Sequence, residues 1–379
     1  MTVSNMPDAQ FNTSDHQFMA RTLQLARRGI ATSHPNPRVG CILVKNNEII
    51  AEGWHEKAGL AHAEIVALKQ AGKNAQGATA YVTLEPCSHY GRTPPCVDAM
   101  IEAGIAEVFI AMQDPNPLVA GQGIKKLTDA GIRVQSGLLQ DEAMELNRGF
   151  VKRMTSGLPW VTVKLAASLD GRTAMESGES QWITGPQARA DVQRLRAASS
   201  AILTGSGTVL ADDPSLTVRL EGANRQPLRV VLDSYLSIPD SAKIFNDGEP
   251  LLIATATDEN DDRYQQLKGQ GIDVRSFPAG TGRVDTLSLL KCLARDYACN
   301  DVLVEAGSVV CGNFLENRLV DELVLYLAPV IMGSSAKGIF DLPGLDTMSQ
   351  RIHMSVCDVR AVGKDWRFTV QPDYQKEAQ

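Results

Sequence analysis

The apolar residues in the first part of the chain alternate between helical and extended spacing. They predict a helix over residues 15–29 and two strands, 39–44 and 48–53, that flank a polar Lys-Asn-Asn turn and form a hairpin. Further helices are predicted at 61–71, 97–103 and 141–154, with strands at 80–84 and 108–112. This order of elements favours a three-layer α/β/α domain around a mixed sheet.

The pattern breaks at the segment 155–159, where turn-forming residues interrupt the periodic apolar ones. We therefore expect two domains, 1–155 and 156–379. In the second, helical stretches alternate with strands predicted at 161–165, 201–203, 228–232, 251–254 and 302–304. Two later strands, 322–329 and 366–370, have no obvious helix after them, which favours an antiparallel edge on a second α/β domain.

Composition is consistent with this picture and narrows the class of protein. A chain of 379 residues suits two domains at about 150 residues each. Residues 1–15 lack the features of a signal peptide, and no apolar run approaches the roughly 20 residues of a membrane span. The seven cysteines are odd in number and sparse, which favours a reducing, cytoplasmic compartment over a disulfide framework. A net charge of −7 disfavours a binder of nucleic acid.

The sharpest chemical pattern is His62-Ala63-Glu64, followed by Pro86-Cys87 and then Cys96. One imidazole and two thiolates suit Zn²⁺, and three protein ligands leave a fourth position for water, as in catalytic sites. Zinc lowers the pKa of its bound water towards about 7. Glu64 is placed to move a proton from that water to a leaving amine. Zinc nucleobase deaminases have the same order of ligands, with the glutamate as acid and base.

The spacing of the two cysteines departs from that motif, because eight residues separate Cys87 from Cys96 instead of two. Taken singly, each cysteine is equally consistent with a small core residue, and His62 with a helix cap. Their combination with Glu64 favours the zinc site. Cys41 stands among strand residues and is assigned to the core.

The long insertion carries a more specific likeness. The segment CSHYGRTPPC at 87–96, with NPRVG at 36–40 and DPNP at 114–117, resembles the cytidine-deaminase-like domain of the bifunctional deaminase/reductases of riboflavin biosynthesis. The resemblance implies a substrate pocket lined by Asn36, His89, Arg92, Asp114 and Asn116. His89 and Arg92 suit a ribose phosphate, whereas Asn and Asp side chains suit the polar edge of a pyrimidine. Turn residues in Pro-rich loops are the alternative for Asp114 and Asn116.

The second half has no Gly-x-Gly-x-x-Gly between a strand and a helix, so a standard Rossmann domain is not supported. Four segments instead resemble the reductase domain of the same family: KLAASLDGR at 164–172, SQWITG at 180–185, TGSGTVLADDP at 204–214 and VEAGS at 304–308. The resemblance implies a dihydrofolate-reductase-like α/β fold that uses NADPH.

The chemistry of these segments agrees with that expectation. Gly205, Gly207 and Gly307 follow predicted strands, where the N–H groups of a starting helix hold phosphates. The resemblance places substrate contacts at Lys164, Ser180, Arg196, Leu216, Arg219 and Glu305. It places NADPH contacts at Ala166, Trp182, Thr208, Asp212, Gly307, Ser308, Val309, Val310, Cys311, Gly312 and Asn313. Alone, Trp182 is equally consistent with a core residue, and Arg196 with a solvated helix face.

The family resemblance implies two successive reactions on a small phosphorylated pyrimidine. The first is zinc-dependent deamination of 2,5-diamino-6-(5-phosphoribosylamino)pyrimidin-4-one at C2, and the second is NADPH-dependent reduction of the product's ribose. We expect neither nucleic acid nor membrane as a partner, and we expect a homo-oligomer.

Two alternatives remain at this point. A nucleic-acid deaminase is disfavoured by the net charge and by an aromatic content of 5%. A non-catalytic protein with a structural metal would require a fourth protein ligand, for which His89 is the near candidate.

Overall fold

In this computed structural model, which describes residues 11–90, 94–117, 119–223 and 225–374, the chain divides into two units, Met1–Gly157 and Leu158–Gln379. The division falls within the turn-forming segment of the sequence. Gly157 ends the last helix of the first unit with a φ of 70°, a left-handed conformation that glycine adopts without steric cost.

The described part of the first unit is built on a five-stranded sheet in the order β2-β1-β3-β4-β5. The strands are β1 (Gly40–Lys45), β2 (Glu48–Trp54), β3 (Thr79–Leu84), β4 (Glu107–Met112) and β5 (Arg133–Ser136). The helices are α1 (Thr13–Arg27), α2 (Ala63–Ala71), α3 (Cys96–Glu102), α4 (Gln122–Asp129), α5 (Gln140–Leu146) and α6 (Arg148–Ser156). β1 is antiparallel to β2 and β3, whereas β3, β4 and β5 run parallel, so the sheet is mixed as predicted.

Both faces of this sheet are covered. Successive strand residues point to opposite faces, and in β1 Cys41 and Leu43 pack with the apolar side of α2, whereas Ile42 and Val44 pack with α1. Cys41 is fully buried, which confirms its assignment to the core. The two apolar layers give the predicted α/β/α arrangement.

The predicted helix at 141–154 is wrong as a single element. It is divided into α5 and α6 at Asn147, whose φ is −112°. The buried Asn147 side chain accepts a hydrogen bond from the Arg38 N–H at 2.8 Å and donates one to the Arg38 carbonyl at 3.0 Å. The hydrogen bonds between Asn147 and Arg38, which are 109 positions apart, thus coincide with a break in a helix that the local apolar pattern would continue. α4 and β5, both rich in polar residues, were not predicted.

The second unit contains a nine-stranded sheet among its described residues, in the order β11-β10-β9-β8-β12-β6-β13-β16-β15. Its strands, with the small β7–β14 pair, are β6 (Trp160–Ser168), β7 (Arg172–Ala174), β8 (Ala201–Gly205), β9 (Leu228–Leu232), β10 (Leu251–Thr255), β11 (Asp273–Ser276), β12 (Asp301–Val304), β13 (Glu322–Ala328), β14 (Lys337–Gly338), β15 (His353–Val362) and β16 (Asp365–Asp373). Its helices are α7 (Pro186–Ala198), α8 (Ser206–Asp212), α9 (Asp262–Gly269), α10 (Thr286–Asp296) and α11 (Ser308–Glu316).

Seven of these strands, from β11 to β13, run parallel, and β16 and β15 add the predicted antiparallel edge. Helices cover both faces of the sheet, since Leu203 of β8 packs with residues of α10 and α11, whereas Ile202 packs with residues of α9. β15 was not predicted, because most of its residues are exposed and carry no apolar periodicity. Within the described ranges, no helix has the length and apolar character needed to cross a bilayer.

Candidate active sites

Three candidate zinc ligands converge in the first unit. His62 is the residue before α2, Cys87 follows the end of β3, and Cys96 begins α3. His62 Nδ1 lies 3.1 Å from Cys96 Sγ and 3.6 Å from Cys87 Sγ, and the three donor atoms lie within 4.8 Å of one another. Tetrahedral zinc with bonds of 2.0–2.3 Å needs about 3.5 Å between its ligand atoms. The donor set therefore fits zinc.

Close backbone packing brings these ligands together. A Cβ atom at Gly53 of β2 would lie 2.3 Å from the Ala63 carbonyl oxygen, so glycine lets the start of α2 press against the sheet. The Cys96 N–H donates to Cys87 Sγ at 3.3 Å. The positive end of α3 therefore faces the Cys87 sulfur, which favours its thiolate form.

The cluster holds a thiolate by its own hydrogen bonds. A hydrogen bond from Cys96, supported by His62 and by the Cys96 N–H, lowers the pKa of the Cys87 thiol to about 4. The hydrogen bond from Cys96 to Cys87, together with the burial of Cys96, raises the pKa of the Cys96 thiol. The hydrogen bond between His62 and Cys87 raises the pKa of His62. Thiolate is the form of cysteine that binds metals.

Glu64 lies beside this cluster, in the first turn of α2, and is 4% exposed. Burial raises the pKa of its carboxyl to about 7. A carboxyl with that pKa can both accept and donate a proton near neutral pH. Among the residues that the structure describes, the ligand group is limited to His62, Cys87 and Cys96. His89 is exposed and lies outside it, so the alternative of a closed structural site lacks its fourth ligand.

Two of the polar residues expected to contact substrate follow β4, and Asn36 precedes β1. Asp114 and Asn116 come after β4, and the Asn116 N–H donates to Asp114 Oδ1 at 2.8 Å. Burial raises the pKa of Asp114. The Asp114 N–H donates to Glu85 Oε2 at 3.1 Å, which ties the start of this loop to a residue two positions before the candidate ligand Cys87. Arg92 lies outside the described residues.

Asn36 is held by a histidine that the sequence analysis missed. Its Nδ2 lies 3.0 Å from His55 Nε2, and His55 Nδ1 lies 3.1 Å from the Ala61 carbonyl oxygen. Since a carbonyl only accepts, Nδ1 carries the proton and Nε2 accepts from Asn36. Burial lowers the pKa of His55, consistent with this neutral form. Its position directly after β2, near His62 in sequence, was the available signal.

In the second unit, three charged side chains meet: Lys164 of β6, Arg196 of α7 and Glu305, the residue after β12. Glu305 follows β12, and its carboxylate accepts from Arg196 Nε at 2.6 Å and Nη2 at 3.1 Å, with Lys164 Nζ at 3.7 Å. The Glu305 side chain is 9% exposed. Burial acts to raise its pKa, but Arg196 and Lys164 outweigh that effect and the pKa of Glu305 is lowered.

Two helices begin beside this cluster, at the ends of β8 and β12. α8 starts at Ser206 and α11 at Ser308, as the glycines had indicated. A Cβ atom at Gly205 would lie 2.9 Å from Val310 Cγ2, so the two strand-to-helix turns touch. Exposed or half-buried positions around them include Ala166, Thr208, Asp212, Gly307, Ser308, Val309, Val310 and Asn313.

Other expected contacts of the second unit fall into two groups. Trp182 is 69% exposed, and Arg189 lies 4.5 Å from its ring centre. The alternative interpretation of Trp182 as a core residue is therefore wrong. Cys311, in contrast, is fully buried in the core. Gly312 is also buried, and a Cβ atom there would lie 1.9 Å from the Asp341 carbonyl oxygen. These two residues of α11 face the protein interior. Ser180 is half-buried.

The two candidate phosphate-binding arginines differ. Arg196 is 13% exposed and its guanidinium is engaged by Glu305 and the Thr217 carbonyl, so it is not a solvated helix-face residue. Arg219 is exposed, and its backbone N–H donates to Gln193 Oε1 at 2.8 Å. Leu216, three residues before Arg219 in the same loop, is buried with a φ of 53°.

Comparison with known proteins identifies the family of both units. The model of the cytidine and deoxycytidylate deaminase zinc-binding region matches residues 12–112, and that of the RibD C-terminal domain matches residues 159–368. The riboflavin biosynthesis protein RibD of Escherichia coli K12 is 49% identical over 364 residues, which cover 93% of this chain and 97% of that protein. The chain belongs to the RibD family.

Other RibD proteins agree over nearly the full length. RibD of Haemophilus influenzae is 48% identical over 378 residues, covering 96% of this chain and 99% of that protein. The structure of Acinetobacter baumannii RibD has a TM-score of 0.87 at 44% identity and covers 95% of this chain and 99% of its own. A Thermotoga maritima structure described as a diaminohydroxyphosphoribosylaminopyrimidine deaminase/5-amino-6-(5-phosphoribosylamino)uracil reductase has a TM-score of 0.83 at 34% identity, covering 94% and 98%. The expected family and both parts of the expected fold class are confirmed.

Membership of the RibD family also agrees with the chemistry of the two units. The zinc-binding region of the first family model spans the candidate ligands, and the RibD C-terminal model spans the cluster around Glu305. Zinc and NADPH are the cofactors of this family, as the sequence resemblance implied.

Proposed function

We propose that this chain catalyses two successive steps of riboflavin biosynthesis on one phosphoribosylaminopyrimidine. The first unit hydrolyses the amino group from C2 of 2,5-diamino-6-(5-phosphoribosylamino)pyrimidin-4-one, and the second reduces the ribose of the resulting aminouracil. The observation that carries the proposal is the three-ligand cluster of His62, Cys87 and Cys96 beside the buried Glu64.

Deamination requires a proton to travel from water to the leaving amine. Zinc bound by His62, Cys87 and Cys96 supplies a water that is acidic enough to lose a proton near neutral pH. The Glu64 carboxylate accepts one proton of that water while the water oxygen bonds to C2. Glu64 then donates this proton to the amino group, the C2–N bond breaks and ammonia leaves, and C2 becomes a carbonyl carbon as the second water proton passes to the ring nitrogen. Glu64 ends the step as it began, and its pKa of about 7 suits both transfers.

The substrate contacts of this step are part of the proposal. Asn36, Asp114 and Asn116 bind the polar edge of the pyrimidine, and the hydrogen bond from the Asp114 N–H to Glu85, two residues before Cys87, supports this role. His89 and Arg92 bind the ribose phosphate, since an imidazole and a guanidinium suit that anion.

Reduction takes place at C1′ of the opened ribose. NADPH, when bound, supplies a hydride to this carbon. In the opened form C1′ is double-bonded to the nitrogen that joins it to the pyrimidine, so hydride addition at C1′ leaves this nitrogen in need of a proton, for which Lys164 and Glu305 are the candidates. Because Arg196 and Lys164 lower the pKa of Glu305, its carboxyl is ionised and does not donate, so we assign the proton to the Lys164 ammonium. Glu305 then orients Lys164 and Arg196.

NADPH and the substrate phosphate bind to different residues around the cluster of Lys164, Arg196 and Glu305. The turns at Gly205 and Gly307 hold the NADPH phosphates through backbone N–H groups, with Trp182 packing on the cofactor. Their mutual contact and the exposure of Trp182 support this assignment. Arg219, which is exposed, binds the substrate phosphate, while Ser180 and Leu216 line the same pocket.

The proposal is tested with the diaminopyrimidinone phosphate, with ammonia and NADPH consumption followed separately. The account predicts ammonia release without NADPH and NADPH oxidation only after deamination has produced the aminouracil. Release of ammonia that depends on NADPH would contradict two independent steps. No ammonia from a chain loaded with about one zinc would refute the deaminase function.

We also infer a cytoplasmic homo-oligomer. A reducing compartment keeps Cys87 and Cys96 as thiols that can bind metal. β15 is the outer strand of its sheet, and antiparallel pairing of two copies around Val359 would set Asp358 of one opposite Arg360 of the other. Sedimentation equilibrium should give a dimer or a higher symmetric state, with Arg360→Asp weakening it. A monomer at micromolar concentration would contradict this inference.

A further inference from the structure

Glu85 is a buried carboxylate that the proposed mechanism does not use. It follows the end of β3 and is 5% exposed. Its two oxygens accept four backbone N–H groups. Oε2 accepts from Asp114 at 3.1 Å and Gly121 at 2.9 Å, and Oε1 accepts from Gly123 at 2.8 Å and Ile124 at 3.2 Å.

These four donors lie at the two ends of one loop. Asp114 opens the loop after β4, and Gly121 is the residue before α4, whose first turn contains the other two donors. The first N–H groups of a helix have no partner within it and carry partial positive charge. A single carboxylate thus neutralises the start of α4 and fixes both ends of the loop at one point.

The glycines of this helix turn allow the close approach. Gly121 has a φ of 78°, which disfavours other residues. A Cβ atom at Gly123 would lie 2.3 Å from the Pro86 carbonyl oxygen and 3.1 Å from Glu85 Oε1. The start of α4 therefore rests directly on the short segment 85–87, which ends in a candidate zinc ligand.

We infer that Glu85 is a positioning residue for the deaminase substrate, because it joins the loop that carries Asp114 and Asn116 to the segment that carries Cys87. Glu85 then fixes the distance between the residues that contact the pyrimidine and the metal ligand Cys87. That distance does not depend on the stability of the loop alone. This inference rests on the proposed function. It differs from a simple helix cap, since the carboxylate also binds the Asp114 N–H at the opposite end of the loop.

The variant Glu85→Gln tests this role. The amide keeps the shape but offers only one acceptor oxygen, and its NH₂ group faces two N–H donors. We expect the deaminase KM to rise about ten- to hundredfold, with a smaller change in kcat, because substrate contacts shift while the metal centre stays intact. Zinc content and reductase activity should match the wild type, and amide hydrogen exchange should accelerate at Asp114, Gly121 and Gly123. Glu85→Asp, which keeps the charge, should recover part of the loss in KM.

Asp129→Asn is the matched control, since it makes the same charge change at the exposed far end of α4. It should leave KM and exchange unchanged. An unaltered KM in Glu85→Gln would overturn the inference, and so would loss of zinc in step with activity, which would indicate a purely structural role. A wild-type chain that releases no ammonia would refute the proposed function itself, whereas an active wild type with an unaffected Glu85→Gln variant would refute only the role of Glu85.

Discussion

Two buried glutamates, one in each unit, have opposite acid–base properties. Burial raises the pKa of Glu64 to about 7. Glu305 is also buried, but Arg196 at 2.6 Å and Lys164 at 3.7 Å lower its pKa instead. Burial alone destabilises a carboxylate, whereas adjacent cations stabilise it. The neighbours of a buried glutamate therefore decide whether it carries protons or serves as a fixed negative charge.

The comparison is tested most strongly by removing the proton carrier. Glu64→Gln should lower the rate of ammonia release by about 10²- to 10⁴-fold, because the amide cannot accept the proton from water. Zinc content should stay at the wild-type level, since Glu64 is not among the ligands. Ammonia release is measured at saturating substrate, with Glu102→Gln, an exposed glutamate of α3, as the control. A variant that retains more than about a tenth of the activity would remove Glu64 from the mechanism.

Removing Arg196 should destabilise the second unit, because the buried Glu305 carboxylate then has one neighbouring cation fewer. Arg196→Ala leaves Glu305 buried with only part of its compensation and should cost about 3 kcal/mol of unfolding free energy. Urea unfolding followed by tryptophan fluorescence measures this, because Trp160, Trp182 and Trp366 lie in the second unit. Arg194→Ala, on the exposed side of the same helix, should cost far less.

The double variant Arg196→Ala/Glu305→Gln decides whether the pair accounts for that cost. It should be more stable than the sum of the two single effects predicts, because the second change removes the uncompensated charge. Strict additivity of the two free energies would show that these residues do not act as a pair.

A smaller effect is expected from the loss of Arg219, which binds only the substrate phosphate in this proposal. Arg219→Ala should raise the reductase KM about tenfold through loss of a charge-assisted hydrogen bond to phosphate, while deamination is unchanged. Initial rates of NADPH oxidation with the aminouracil substrate measure this. Arg283→Ala, another exposed arginine of the second unit, is the control. Equal KM values in the two variants would refute the phosphate assignment.

The smallest effect concerns pH. The pKa of Glu305 lies below its ordinary value of 4.5, so its contribution to stability is present above pH 4.5 and is lost as pH falls through the lowered pKa. The second unit of the wild type should therefore lose stability below pH 4.5 more steeply than that of Glu305→Gln. Urea midpoints compared between pH 3 and pH 6 measure the difference, and parallel curves would contradict the lowered pKa.

Short-range patterns carried the predictions that succeeded. His62 and Glu64 are two residues apart, and Cys87 and Cys96 flank one insertion, so two short segments contain the ligand set. Six of the seven parallel strands of the second unit were predicted, because strands buried on both faces are continuous apolar runs. The seventh, β11, has the polar sequence DVRS with one buried residue, and it was not predicted. β15 and α4 are polar and gave no such signal.

The contacts that were missed join residues far apart in the sequence. Asn147 ends a helix through Arg38, and Arg196 meets Glu305 from 109 positions away. Glu85 precedes the Pro-Cys motif, but its partners belong to a loop near residue 120. Such pairings depend on how strands and helices are arranged in space, which local spacing does not specify.

The central claim is that one chain contains two separate active sites, and the Glu64→Gln variant tests it with two substrates. Supplied with 5-amino-6-(5-phosphoribosylamino)uracil and NADPH, it should oxidise NADPH at the wild-type rate. Supplied with the diaminopyrimidinone, it should release ammonia and oxidise NADPH about 10²- to 10⁴-fold more slowly than the wild type. Loss of NADPH oxidation with the aminouracil, in proportion to the loss of ammonia release, would contradict the account.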